Sequence, residues 1–165
     1  MSRYRPPAPH SSPYITQDGF DCLQAEETAI WLRRRVVTAA LSEAAAEGDR
    51  SENAEYIYRK KELRELDRRI RYLQKRIPEL TIVAKRAQGE QIFFGATVTL
   101  ECAGGVLEIR LVGSDEIDPA RHQVSIDAPL SRALLGKTID DEVSVMVNGK
   151  RLDYTVLAVS WSAGC

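Results

Sequence analysis

The sequence predicts an α+β protein in two parts: an N-terminal antiparallel helical hairpin of coiled-coil type, then a small domain of mostly antiparallel sheet with one short helix. Three observations carry that prediction. Apolar residues recur at spacings of three and four in the first half and at alternate positions in the second. Charge divides at the same place: residues 1–86 hold 17 basic and 13 acidic side chains, a net of +4, whereas residues 87–165 hold 6 and 11, a net of −5. The length, 165 residues, suits one ordinary domain or two small ones.

Composition narrows the class further. With 28% charged residues and no run of eighteen apolar ones, the chain has no membrane span. The opening, Met1-Ser2-Arg3-Tyr4-Arg5-Pro6-Pro7, lacks the apolar stretch of an export signal, so a cytoplasmic location is expected. Three widely spaced cysteines, Cys22, Cys102 and Cys165, with only His10 and His122 beside them, make neither a disulfide framework nor a zinc cluster.

Along the chain, residues 1–13 are Pro-rich and read as a disordered extension. Thr16 is positioned to cap the first helix, with Asp18 in the first turn, where the helix dipole favours an anion. Phe20, Leu23, Ile30, Val37, Leu41 and Ala44 follow seam spacing, with Glu27 and Arg34 occupying two seam positions. From Leu63 the pattern is regular: Leu63, Leu66, Ile70, Leu73, Ile77 and Leu80, an a/d seam that predicts a helix over about residues 51–78. The short stretch at Glu47-Gly48-Asp49-Arg50 makes the two helices antiparallel neighbours, placing the hairpin over 14–82 and a linker over 83–90.

Residues 91–165 form the second part. Strands are predicted at Ala96 to Cys102, from Val106 through Leu111, at Val124 to Asp127, at Val143 to Val147 and at Leu152 to Leu157. Gly104-Gly105 joins the first two, and Asn148-Gly149 is a strong hairpin signal between the last two. Pro129 to Leu135 reads as a short helix that begins with Pro and is closed by Gly136.

Two constellations carry chemistry. At the hairpin turn, Gly48-Asp49-Arg50-Ser51-Glu52-Asn53-Ala54-Glu55-Tyr56 gathers three carboxylates, and Asp49 and Glu52, three apart at a helix start, can face the same way. Magnesium binds through one or two carboxylates and fills its shell with water and other ligands, so this pair holds it only if a partner supplies the rest. The same spacing is a capping box, each side chain meeting the other's backbone amide. A pair that swings between the two arrangements serves both.

The second constellation is basic. Residues 59–76 hold Arg59, Lys60, Lys61, Arg64, Arg68, Arg69, Arg71, Lys75 and Arg76 against Glu62, Glu65 and Asp67, with Tyr56, Tyr58 and Tyr72 interleaved. Cations beside aromatic faces suit a single nucleic-acid strand. A solvated coiled-coil flank is the alternative, but three acids cannot pair nine bases. Arg33-Arg34-Arg35 on the first helix adds to the field.

The tip motif, the run Arg59-Lys60-Lys61-Glu62-Leu63-Arg64-Glu65-Leu66-Asp67-Arg68-Arg69-Ile70-Arg71-Tyr72-Leu73, and the segments Phe93-Phe94-Gly95-Ala96, Val112 to Ile117 and Ser125 to Lys137 resemble the GreA/GreB family of bacterial transcript cleavage factors, the dense basic run resembling its GreB branch. The resemblance spans about residues 14–160. It implies an FKBP-like C-terminal domain that docks on RNA polymerase through Ile126, Asp127 and Pro129, and a coiled coil that enters the polymerase secondary channel. It also implies that Asp49 and Glu52 share a Mg²⁺ with the polymerase active site only in the complex, so that the polymerase, and not this chain, cleaves backtracked RNA. Gly48, Ser51, Asn53, Glu55 and Tyr56 would shape the tip, and Arg59, Lys60, Lys61, Arg64, Arg68, Arg69 and Arg71 would hold the nascent RNA 3′ end. A monomer is expected. The other readings are a channel-occupying inhibitor of polymerase, which both acids being present disfavours, and a stand-alone basic coiled coil that binds RNA or a protein client.

Overall fold

The computed structural model describes residues 11–46, 54–84 and 89–161. The chain divides into two compact units, one of residues 20–80 and one of residues 1–19 with 81–165.

The first unit is built on two long helices, α1 (Gln17–Ala46) and α2 (Ala54–Arg76), followed by a 3-10 turn at Ile77–Glu79. Thr16 caps α1 as the sequence predicts, its hydroxyl oxygen accepting from the Gly19 amide at 3.0 Å. The α-helical pattern of α2 ends at Arg76, two residues before Pro78, whose ring leaves no amide to donate and biases the preceding residue away from helix. Residues 51–53 of the predicted second helix lie outside the described residues.

The seam is where the spacing puts it. Leu23, Val37 and Ala44 of α1 and Ile70 and Leu73 of α2 are buried, and Phe20, Ile30, Leu41, Leu63 and Leu66 are half-buried beside them. Three ion pairs fix the direction: Glu26 with Arg69, Arg33 with Glu62 and Arg34 with Asp67. Position falls along α2 from Arg69 to Glu62 as it rises along α1 from Glu26 to Arg33, so the helices run antiparallel. Arg34, a polar intruder on the seam, is held by Asp67 at 2.7 Å and lies over the Trp31 ring at 5.8 Å.

The second unit holds a five-stranded sheet of β3 (Thr97–Cys102), β4 (Gly105–Val112), β5 (Gln123–Ser125), β6 (Glu142–Val147) and β7 (Lys150–Ser160), in the order β5-β4-β3-β7-β6. Every pairing is antiparallel except β4 with β5, which is parallel. Asn148 and Gly149 join β6 to β7 with φ of 50° and 78°, the left-handed pair that a two-residue hairpin turn needs. A short helix, α3 (Pro129–Leu134), packs on β6. The core beneath it consists of Ile92, Ala96, Val98, Leu100, Ile109, Leu111, Ile126, Leu134, Val143 and Val156.

One device in this unit has no counterpart in the predicted elements. β1 (Tyr14–Ile15) and β2 (Thr81–Ile82) form a two-stranded parallel ladder, with Thr81 N–H donating to the Pro13 carbonyl at 2.7 Å and Val83 N–H to that of Ile15 at 2.9 Å. The Glu116 carboxylate anchors the same segment, accepting from the Thr16 amide at 3.0 Å, from the Thr16 hydroxyl and from the Gly113 amide at 2.9 Å. Ser12, within the expected extension of residues 1–13, bonds to Asp127. Residues 1–10 of the predicted extension lie outside the described residues.

Candidate functional site

The acidic tip connects α1 to α2 through residues 47–53, so Gly48, Asp49, Ser51, Glu52 and Asn53 lie outside the described residues. Glu55 and Tyr56 are the first of the tip residues to be described, at the start of α2. Glu55 is exposed and reaches Arg59 at 3.5 Å, and Tyr56 is half-buried under Lys60, whose ammonium sits 5.7 Å from the ring centre. Among the described residues no group of three or more His, Cys, Asp or Glu is arranged to hold a metal.

Apart from Lys60, which lies over Tyr56, and Arg76, which reaches Glu79 at 4.0 Å, the basic residues of α2 sort into two sets. Arg59 and Arg69 turn to acids: Arg59 meets Glu55 and Glu62, and Arg69 makes a forked pair with Glu26 of α1 at 2.7 and 2.8 Å. Lys61, Arg64, Arg68 and Arg71 are exposed and follow spacings of three and four, as does exposed Lys75 beyond them. At about 100° per residue this row lies on the side of α2 opposite the seam. Two of the three acids in this stretch are engaged with α1, Glu62 by Arg33 and Asp67 by Arg34, while exposed Glu65 stands beside the row, four residues from Lys61 and three from Arg68. Arg33 and Arg34, expected to add to the positive field, therefore neutralise acids instead. Tyr72 is exposed along the flank of the row and Arg69 lies over it at 5.0 Å, and Tyr58 is likewise exposed with Arg59 at 5.8 Å.

The second candidate surface is the loop between β5 and α3. Three of its bonds are internal or tie it to the sheet: Ile126 N–H donates to the Val112 carbonyl at 2.8 Å, Asp127 N–H to Ser125 Oγ at 3.1 Å, and Ala128 N–H to the Ser125 carbonyl at 3.0 Å. The turn at Ala128 is why the expected strand through Asp127 ends at Ser125. Of the three predicted docking residues, Ile126 is only 7% exposed and belongs to the core, so it supports the loop from beneath and presents no side chain to a partner. Pro129, at the first turn of α3, is exposed. Asp127 is a quarter exposed and accepts from Ser12, whose amide reaches Oδ2 at 2.8 Å and whose hydroxyl reaches Oδ1; Arg132 lies 3.9 Å from Oδ1.

Two family models cover most of the sequence. Residues 13–82 match the model described as transcription elongation factor, N-terminal, and residues 87–161 match that described as transcription elongation factor, GreA/GreB, C-term. The chain belongs to the GreA/GreB family of transcription elongation factors. The boundary between the two matches lies in the interval that separates the helices from the five-stranded sheet. Transcription elongation factor GreB of Xanthomonas axonopodis pv. citri is 48% identical over 167 residues, 99% of each chain. That of Pseudomonas aeruginosa is 52% identical over 160 residues, 94% of this chain and 95% of its own. The GreB of Pasteurella multocida is 53% identical over 137 residues, 81% of this chain and 87% of its own.

The likeness to these GreA/GreB factors covers both candidate surfaces and the segment between the helices. Sequence reasoning counted the bases of α2 against the acids of α2 alone and so missed that Glu26, Arg33 and Arg34 of the facing helix decide which charges stay available. Lys75, already counted in the basic constellation, could have joined the RNA-holding set from its place in the 61, 64, 68, 71 series. Ser12 could not, since a partner 115 positions away leaves no local trace. Among the described residues, no helix is long and apolar enough to cross a membrane.

Proposed function

We propose that this GreA/GreB-family chain acts on bacterial RNA polymerase and stimulates the polymerase's own cleavage of backtracked nascent RNA, entering the secondary channel with the turn between α1 and α2 foremost. The observation that carries the reading is the Asp49–Glu52 pair on the connection between two antiparallel helices, in a chain of this family. Two carboxylates are too few to fill a magnesium shell, which suits a site completed by a second protein's acids. The chain alone therefore has no nuclease activity on this reading.

Asp49 and Glu52 would hold Mg²⁺ jointly with the polymerase; the bound ion supplies charge neutralisation at the scissile phosphate and a more acidic water. Gly48, Ser51, Asn53, Glu55 and Tyr56 would set the path of the tip so that both carboxylates point forward. Lys61, Arg64, Arg68 and Arg71 would hold the extruded 3′ RNA by phosphate contacts, with exposed Tyr72 beside them as a candidate stacking face. Asp127 and Pro129 would meet the polymerase at the channel rim.

The test is Asp49→Asn with Glu52→Gln in the full chain, added to stalled elongation complexes. Neutral amides keep size and hydrogen bonding but are poor magnesium ligands, so stimulated cleavage should fall at least about 100-fold while polymerase binding stays within about 2-fold. Full cleavage by the double variant would end the proposal for the tip. Blocked nucleotide addition without cleavage by the native chain would favour the inhibitor reading.

A further inference from the structure

We infer that Ser12 is a positioning residue for polymerase docking, because it holds the Asp127 carboxylate in a fixed orientation at the loop surface. The inference rests on the reading that Asp127 meets the polymerase, and it concerns how tightly the chain docks rather than how the RNA is cut.

The contact is two-pronged. Ser12 donates its amide to Oδ2 at 2.8 Å and its hydroxyl to Oδ1, so both carboxylate oxygens are engaged by one residue. A single bond lets a carboxylate swivel about its last torsion, whereas two bonds, one to each oxygen, restrain that torsion. From the other side, Asp127 N–H is tied to Ser125 Oγ at 3.1 Å. Arg132 stands 3.9 Å from Oδ1, with its side chain 70% exposed, and contributes a screened charge more than a restraint.

Engagement by Ser12 does not use up the group. An ionised carboxylate offers about four lone-pair sites, and these two bonds take two of them. About a quarter of the Asp127 side chain is accessible, so a cationic or amide donor on the docking partner can reach it. A carboxylate already oriented has less freedom to lose on binding, which raises affinity without adding a contact.

Ser12 itself is well placed to act as a clamp. It is followed by Pro13, whose ring fixes one backbone torsion, and the Pro13 carbonyl accepts from Thr81 N–H at 2.7 Å in the β1–β2 ladder. The donor pair is thus carried on backbone anchored within the same unit as the loop.

The experiment titrates full-length Ser12→Ala, Ser12→Thr and Asp127→Asn chains into stalled elongation complexes and reads both the half-saturating concentration and the plateau cleavage rate, with melting temperature alongside. Ser12→Ala, which keeps the amide and loses the hydroxyl, should raise the half-saturating concentration about 2- to 10-fold with the plateau kept. Ser12→Thr should restore native affinity, because the hydroxyl is retained. Native or tighter affinity for Ser12→Ala, with Asp127→Asn weakened, would overturn the role of Ser12 and leave the docking loop standing. Weakened Ser12→Ala binding that tracks a fall in melting temperature and is not rescued by threonine would also overturn it, as a purely structural effect. Native affinity for Asp127→Asn would remove the docking reading itself, and the inference with it.

Discussion

Two hydroxyls in the second unit show what a buried polar side chain gains or loses from its neighbours. Thr16, 5% exposed, uses its oxygen twice, accepting from the Gly19 amide at the start of α1 and donating to Glu116. Ser131 is fully buried on α3, and among the described residues its Oγ has no hydrogen-bond partner. A hydroxyl stripped of water without a replacement bond costs about 1–3 kcal/mol, and serine is also a poorer helix former than alanine. Ser131→Ala removes the unmet group at the expense of one small atom's packing. It should therefore stabilise the chain by about 1 kcal/mol, read as a higher urea midpoint at unchanged slope. A lower midpoint would mean that the hydroxyl has a partner after all. The same reasoning separates Ser131 from Ser12, whose hydroxyl is bonded and whose loss should be felt at the loop proposed to dock.

At the scale of elements, the β1–β2 ladder depends on a position where no side chain fits. A Cβ on Gly113 would run into the Tyr14 carbonyl, which is backbone and cannot rotate away, and would crowd Glu116 at 3.0 Å. Gly113→Ala should thus push β1 off its place and weaken the Glu116 anchor, costing about 1–3 kcal/mol. Hydrogen exchange localises the effect: the Thr81 and Val83 amides, which donate to Pro13 and Ile15, should lose protection while those of β6 and β7 keep theirs. Uniform loss across the sheet would argue against a local anchor. What the sequence could and could not reveal follows the same division between near and far. The α2 seam and the Asn148-Gly149 turn were legible because their causes lie within a few residues of each other. A two-residue parallel strand has no period to read, and its partner lies 67 positions away, at Tyr14 and Thr81. The strand β7 reads as even alternation, yet Thr99 pairs with Ala158 and Leu100 with Val156, so Leu157 is an extra residue. That bulge brings Val156 and Val159, three apart, to the same core. For the candidate site the split is similar. The tip acids and basic run were visible as residue types, whereas the Glu26–Arg69 pairing and the Ser12–Asp127 bond are products of the fold.

For the molecule as a whole, the net charge of −1 conceals a positive row of five bases that Glu65 alone of the three acids at residues 59–76 is left to offset. Lys61, Arg64, Arg68, Arg71 and Lys75 face away from α1, while Glu62 and Asp67 are drawn to Arg33 and Arg34 of that helix. Bases of the same helix thus divide into an outward row, proposed to hold phosphate, and builders of the hairpin, and the two jobs respond to different measurements. Replacing all five row residues with glutamine should reduce the salt dependence of binding to single-stranded RNA, lowering the slope of log affinity against log salt by about 3.5 if each contacts one phosphate. Thermal stability should hold or rise slightly, because five like charges along one face repel each other. Arg69→Gln should do the reverse: it breaks the forked pair with Glu26, lowers stability by up to about 1 kcal/mol and leaves the slope nearly unchanged. Equal slopes for the native chain and the five-fold variant would show that the row is a solvated flank, and retained slope loss in Arg69→Gln would show that the division between the two sets of bases is not real.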